Sequence, residues 1–216
     1  NSKKPIIISG GGVFYSDAMD ELGNFAIKHN IPVTQTVMGY STMKRDHSHF
    51  VGPIGGLGGK AANNLAKETD LAICIGTKLA DFTTGSWANF ENPQFKLVSI
   101  NIARHDANKH LAEAVIGDAK VSLIELSNTL GDWRSSDSWH KKSQDELKSW
   151  NEYVDKESGP TNQELPSYAH AVGAIYRNSD PTDIAVTAAG GLVGEVVQVW
   201  RPKELNTHET EWGFSC

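Results

Sequence analysis

The 216-residue chain is longer than one typical domain, so we expect one full domain plus part of another. Its hydrophobic content of 39% and charged content of 21% are ordinary for a soluble globular protein. A formal net charge of −6 without a long basic run disfavours a nucleic-acid-binding surface. No apolar stretch approaches the roughly 18 residues of a membrane span, and only Cys74 and Cys216 are cysteines, which indicates a reducing compartment. We therefore expect a cytoplasmic protein that binds neither nucleic acid nor membrane.

Strands and helices alternate through the first 130 residues. Short apolar runs predict strands at 5–9, 31–37, 71–76, 96–102 and around 114–116. Helices are predicted from the caps Ser16 and Asp17 to His29, over 60–69, and from the N-cap Asp118 to Leu130. Residues 38–59 are assigned to a Gly-rich loop. This alternation predicts an α/β fold, a doubly wound parallel sheet of five or six strands with helices on both faces.

Residues 131–165 differ in composition, because Ser, Lys and acidic residues dominate. Four large side chains nevertheless keep helical spacing, which predicts a helix packed across the domain surface. These side chains are Trp139, Leu147, Trp150 and Val154.

The β-α pattern restarts with an amphipathic helix over 167–178, whose inward face is expected to include Ile175. A strand at 184–187 and a helix over 194–200 follow. We divide the chain into a central Rossmann-like domain (1–130), a helical linker (131–165) and the truncated start of a second α/β domain (166–216). Asn1 is not an initiator residue, and we expect the chain to be a fragment.

Two Gly-rich stretches could hold a phosphate, but their context is poor. Residues 56–61 fit G-x-G-x-x-A before a helix, yet the preceding 50–54 is broken by Gly and Pro and reads as a poor strand. A P-loop is excluded because Ala61 stands where Ser or Thr would hold magnesium. Residues 10–12 are interpreted as a tight strand-to-helix turn.

The histidines give no metal motif. His47 and His49 lie in a polar loop and His105 and His110 flank another, without the helical i, i+4 pair of a zinc protease. All four are predicted to be surface residues. The turn Ala-Ala-Gly-Gly-Leu at 188–192 is more informative, because small residues after a buried strand let backbone amides approach an anion. On spacing alone, a purely structural turn stays open.

The order of these motifs resembles the central domain of the acetolactate-synthase-like thiamine diphosphate enzymes. The matching segments are 5–12, 46–47, 52–59, 61–63, 66–79, 99–101 and 117–119. Three further segments, 80–86, 99–107 and 211–216, resemble the trihydroxycyclohexane-dione hydrolases of inositol catabolism, and residues 188–192 are similar to the turn that opens their cofactor-pyrophosphate domain.

The resemblance implies a parent enzyme that uses thiamine diphosphate and Mg²⁺ to cleave a polyol-derived cyclic dione, as a homodimer or homotetramer. It implies contacts from the amides of Gly190, Gly191 and Leu192 to the cofactor diphosphate. The activating glutamate and the magnesium motif of such enzymes lie in other segments, so we place no catalytic residue and no metal ligand in this chain. We expect the fragment itself to be inactive and to bind no cofactor.

Asn101 departs from the acid that flavin-binding relatives carry, so the central domain is expected to be structural. Two alternatives stay open. One is another thiamine diphosphate enzyme, of the acetolactate synthase or 2-oxoacid decarboxylase type. The other is a non-catalytic nucleotide-binding module, which titration with flavin and adenine nucleotides would reveal.

Overall fold

The computed structural model describes residues 2–188 and 190–210. The expectations for 211–216 lie outside the described residues. Between residues 2 and 130 the structure contains six strands and six α-helices, which are in chain order β1 (Pro5–Ser9), α1 (Gly11–Tyr15), α2 (Met19–His29), β2 (Val33–Gln35), β3 (Phe50–Pro53), α3 (Lys60–Glu68), β4 (Leu71–Ile75), α4 (Asp81–Thr84), β5 (Lys96–Asn101), α5 (Arg104–Ala107), β6 (Glu113–Ile116) and α6 (Ala119–Leu130). The later part contains α7 (Asp137–Glu157), α8 (Tyr168–Asn178), β7 (Ala185–Thr187), α9 (Gly191–Val199) and β8 (His208–Thr210).

The predicted parallel sheet is confirmed. Its six strands run in the order β3-β2-β1-β4-β5-β6, and every neighbouring pair is parallel. Alternate residues of β1 enter different core clusters. Ile7 packs in the first core cluster, and Ile6 and Ile8 pack in the second core cluster, on the other face of the sheet. Both faces of the sheet are therefore covered, which explains why its central strands are continuously apolar. The strands β2 and β3 are added on one side of β1, and β4, β5 and β6 are added on the other. The topological switch point of the sheet therefore lies at the carboxyl ends of β1 and β4.

The strand β3 corrects the assignment of residues 38–59 to a loop. Phe50 pairs with Val33 and Gly52 with Thr34, so Val51 is an extra residue in the register. Gly52 has a φ of 99°, which a residue with a side chain rarely adopts, and Pro53 is the last residue of the strand. Gly and Pro are tolerated here because they occupy a bulge and a strand end at the edge of the sheet.

The first predicted helix is α2, which begins at Met19, and a short helix that was not predicted, α1, precedes it. α1 already begins at Gly11, and the chain breaks at Asp17, whose φ is 50°. Ser16 does not cap α2, since its hydroxyl donates to Asp118 Oδ2 at 2.6 Å. The other carboxylate oxygen of Asp118 accepts from the amide of Val121 at 3.1 Å, so the predicted N-cap of α6 is confirmed.

The predicted surface helix of 131–165 is α7, a helix of 21 residues capped by Ser136. It packs against α3 and the edge strand β3, and Leu147 and Trp139 enter the first and second core clusters respectively. Trp139 Nε1 also donates to the carbonyl of Pro5 at 2.8 Å. The helix therefore contributes to the same core as the sheet.

The last elements form a third apolar cluster against the end of α7. Val196, Val199 and Trp200 pack on Val154 and on two residues of α8. The prediction that Ile175 faces inward is wrong, because its side chain is 63% exposed. The cluster covers the face of α8 that carries Val172 and Tyr176, and Ile175 lies outside that face. β7 and β8 form a separate parallel pair.

The segment before β3 holds this last part of the chain in place. The Tyr40 hydroxyl donates to the carbonyl of Trp200 at 3.0 Å, and the amide of Asn206 donates to the carbonyl of Ser41 at 3.3 Å. Arg45 adds a hydrogen bond to the hydroxyl of Tyr176. Among the residues that the structure describes, no helix is long and apolar enough to cross a membrane.

Candidate functional site: the turn before α9

The structure places Gly190, Gly191 and Leu192 at the start of α9, separated by two residues from the end of β7. Gly190 is the N-cap and has a φ of 141°, a conformation that favours glycine. α9 thus begins three residues before the predicted start at 194. The following residue Val193 is buried and anchors the helix, whereas Leu192 is 48% exposed. The glycine turn therefore stands at the surface on a fixed support.

The space around the two glycines is open. A Cβ atom built on Gly190 or on Gly191 would meet no atom within 4 Å among the described residues. The left-handed φ belongs to Gly190, and Gly191 has helical geometry, so only Gly190 needs glycine for backbone reasons. Gly191 instead leaves room for a ligand to approach the backbone.

The first amides of a helix have no intrahelical acceptor, and they lie at the positive end of the helix dipole. A turn that is open, side-chain-poor and followed by a nine-residue helix can receive an anion such as a diphosphate. The residues present therefore fit the group that the resemblance implies.

A second candidate region is the crevice at the switch point, with a volume of about 560 Å³. It is lined by the carboxyl ends of the central strands and by Gly11, Gly12 and Gly76. The glycines here are explained by packing, because a Cβ on Gly12 would lie 2.5 Å from the Cα of Gly76 and one on Gly10 would lie 2.4 Å from the carbonyl oxygen of Gly76. The strand-to-helix turn is indeed tight, but it consists of Gly10 alone, because Gly11 and Gly12 already belong to α1.

The side chain of Asn101, in the wall of the crevice, already makes two hydrogen bonds within the protein. Its Nδ2 donates to the carbonyl of Thr77 at 3.1 Å, and its Oδ1 accepts from the amide of Ala103 at 2.9 Å. A ribose would have to compete with these bonds. These hydrogen bonds are consistent with the prediction that the central domain is structural and does not bind a flavin nucleotide, which stays a prediction.

The Gly-rich stretch before α3 uses its amides inside the protein. The amides of Gly56 and Gly59 donate to the carbonyls of Phe82 and Pro53 at 2.7 and 2.8 Å. Gly55 has a φ of 108°, and a Cβ there would lie 2.0 Å from the Phe82 carbonyl oxygen. These glycines allow α4 to approach the loop closely, so they do not form a phosphate cradle.

The prediction of four surface histidines is wrong for His49, which is only 6% exposed. Its Nε2 lies 3.1 Å from Asn30 Oδ1, and its ring stacks on His140 of α7 with a centroid separation of 4.2 Å. Burial, reinforced by the nearby charges of His140, His47 and Arg134, lowers the pKa of His49 to about 4. A polar loop in the sequence gave no signal of this, because α7 covers it from far along the chain.

His105 and His110 are exposed, as predicted. Within 2–188 and 190–210, no group of three or more His, Cys, Asp or Glu side chains could hold a metal ion.

A parallel α/β sheet followed by a glycine turn at a helix start is a feature of nucleotide- and diphosphate-binding enzymes. Comparison of the chain with known protein families identifies which of these it belongs to. The family model for the thiamine pyrophosphate enzyme central domain matches residues 1–126, and the chain therefore belongs to the thiamine pyrophosphate enzymes. It is 34% identical over 239 aligned residues to a 3D-(3,5/4)-trihydroxycyclohexane-1,2-dione hydrolase of Clostridium perfringens, covering 100% of this chain. Proteins of the same name from Bacillus anthracis and Clostridium botulinum are each 35% identical, covering 99% and 100% of it. The chain spans 37% of the length of each of these relatives.

Proposed function

We propose that this chain is part of a thiamine-diphosphate-dependent hydrolase that opens the ring of a trihydroxycyclohexane-1,2-dione. The observation that carries the proposal is the similarity to hydrolases of that name along the whole chain, including the part beyond the central domain. Cleavage of the bond between the two carbonyl carbons, followed by addition of water, would give a ring-opened deoxy-glucuronic acid.

The chain contributes binding and support to this reaction. Thiamine diphosphate, when bound, supplies the electron sink for cleavage of the carbon–carbon bond. The amides of Gly190, Gly191 and Leu192 hold the diphosphate at the start of α9, and the cluster beneath α9 keeps that helix fixed. The activating carboxylate and the Mg²⁺ ligands come from segments outside this chain, in a parent that we expect to be a homodimer or homotetramer.

An activity assay tests the proposed reaction. The complete enzyme that carries this chain should turn over the cyclic dione only when thiamine diphosphate and Mg²⁺ are supplied. The 216-residue chain alone should show no turnover under the same conditions, because the proposed acid–base and metal groups are missing from it. Turnover of a 2-oxoacid such as pyruvate, without turnover of the dione, would instead support an acetolactate synthase or decarboxylase.

A substitution at Gly191 tests the diphosphate contact. Because a side chain at this position has open space, Gly191→Val should leave the fold intact. The branched side chain would occupy the volume that a diphosphate oxygen needs. The affinity of the complete enzyme for thiamine diphosphate, measured by calorimetric titration, should fall by at least about tenfold, or about 1.4 kcal/mol.

The matched control is Leu192→Ala, which changes the neighbouring exposed side chain and keeps its amide. Its affinity should equal that of the unmodified enzyme, since the proposed contact is made by the backbone. Equal affinities for Gly191→Val and the unmodified enzyme would mean that the turn is only a tight connection.

A further inference from the structure

Two threonine hydroxyls meet at the same edge as the glycine turn. Thr187 and Thr210 are the last residues of β7 and β8 and are directly paired in register. Their Oγ1 atoms are 3.0 Å apart, and both residues are half-buried. Since β7 and β8 are parallel, their carboxyl ends meet at one edge, and Gly190 follows Thr187 by only three residues. Three residues of chain span at most about 11 Å, so the Thr187 hydroxyl is within reach of an anion held at the turn.

The buried residue His208 continues this row of polar atoms inward. It lies two residues before Thr210, on the same face of β8, and is only 5% exposed. Its ring packs edge-to-face on Tyr40, with 5.0 Å between centroids. Its Nε2 is 3.5 Å from Thr210 Oγ1, at the outer limit of a hydrogen bond. Three polar atoms thus connect a buried interface with the edge of the sheet.

The protonation state of His208 determines whether the Thr187 hydroxyl can donate a hydrogen bond to a ligand or can only accept one. Burial lowers the pKa of His208 to about 4, so its ring is neutral near pH 7 and carries one N–H. If Nε2 carries the proton, His208 donates to Thr210, Thr210 donates to Thr187, and the Thr187 proton points outward. If Nε2 is unprotonated, both hydroxyl protons point inward, and Thr187 presents only lone pairs. An anion at the edge favours the first arrangement, because its oxygens can only accept.

We propose that Thr187 donates a hydrogen bond to the diphosphate held at the Gly190–Leu192 turn, and that His208 acts through Thr210 as a positioning residue that orients this donor. The inference rests on the proposed function, and it adds side-chain recognition to the backbone contacts. Its competitor is a purely structural cross-strand threonine pair, which stabilises a sheet without touching a ligand.

The first test measures thiamine diphosphate affinity and thermal stability of the complete enzyme in parallel. Thr187→Val keeps the shape of the side chain and removes the donor, so the dissociation constant should rise about tenfold, the scale of one hydrogen bond to a charged group. Thr187→Ser keeps the hydroxyl and should bind within about twofold of the unmodified enzyme, a small part of that hydrogen-bond effect. Thr129→Val, on the exposed face of α6, is the matched control and should bind normally.

The second test addresses His208. His208→Phe keeps a ring against Tyr40 but cannot donate, and it should weaken binding severalfold. His208→Gln can still donate to Thr210 and should restore most of the affinity. A purely structural role predicts altered melting temperatures with the same dissociation constant in Thr187→Val and His208→Phe, and that result would overturn the inference. The proposed function would survive it as long as the unmodified enzyme binds thiamine diphosphate and cleaves the dione.

Discussion

Replacing Trp139 by alanine should lower the free energy of unfolding of the 216-residue chain by about 3–5 kcal/mol. The side chain is 3% exposed and packs in the second core cluster, against the face of the sheet that α3 covers. Its loss would leave a large cavity and would also leave the carbonyl of Pro5 without the indole donor. Chemical denaturation followed by circular dichroism would measure the change.

Two further variants separate the effect of the lost apolar volume from the effect of the lost indole hydrogen bond. Trp139→Phe keeps most of the apolar volume and removes only the donor, so it should cost less than the alanine variant. Tyr153→Ala, on the exposed side of the same helix, removes a stacking contact with Trp150 and should cost no more than about 1.5 kcal/mol. If Trp139→Ala were as mild as Tyr153→Ala, α7 would be a connecting helix that the sheet domain does not need.

The parallel sheet was predictable because its central strands are buried on both faces. Ile6, Ile7 and Ile8 form a run that no amphipathic pattern interrupts, and the later strands repeat it. β3 was missed because the edge of a sheet tolerates Gly52 and Pro53, which would break a central strand. Local sequence cannot distinguish a bulged edge strand from a loop, since the pairing partner decides it.

The surroundings of the glycines show a similar limit. The sequence of residues 55–59 suits a phosphate loop, but its amides donate within the protein, and the acceptor of the Gly56 amide lies in α4, more than twenty residues later. The turn at Gly190 was placed correctly before a helix, although the sequence could not tell which glycine carries the left-handed φ. The threonine pair and His208 gave no motif, because their meeting depends on the pairing of β7 with β8.

The buried histidines predict that the chain is sensitive to mild acid. Burial lowers the pKa of both His49 and His208 from the ordinary value of 6.5 to about 4. The unfolded chain therefore takes up these protons near pH 6.5, whereas the folded chain resists them until about pH 4. Stability is complete above pH 6.5 and is lost as the pH falls toward 4, by on the order of 2–3 kcal/mol for each histidine.

The interval between pH 6.5 and 5 separates the titration of histidines, including His47 and His140 whose pKa burial also lowers, from that of the carboxyl groups, because Asp and Glu side chains of the unfolded chain take up protons mainly below it, near pKa values of about 4. Denaturation at several pH values in that interval should show the free energy of unfolding falling by roughly 1 kcal/mol per pH unit for each buried histidine. His49→Gln removes one titrating group while it can still donate to Asn30, and it should flatten the slope. The control Thr129→Val, at an exposed residue without an ionisable group, should leave the slope as it was. A slope that His49→Gln does not alter would show that the stacked pair of His49 and His140 opens to solvent before either ring is protonated.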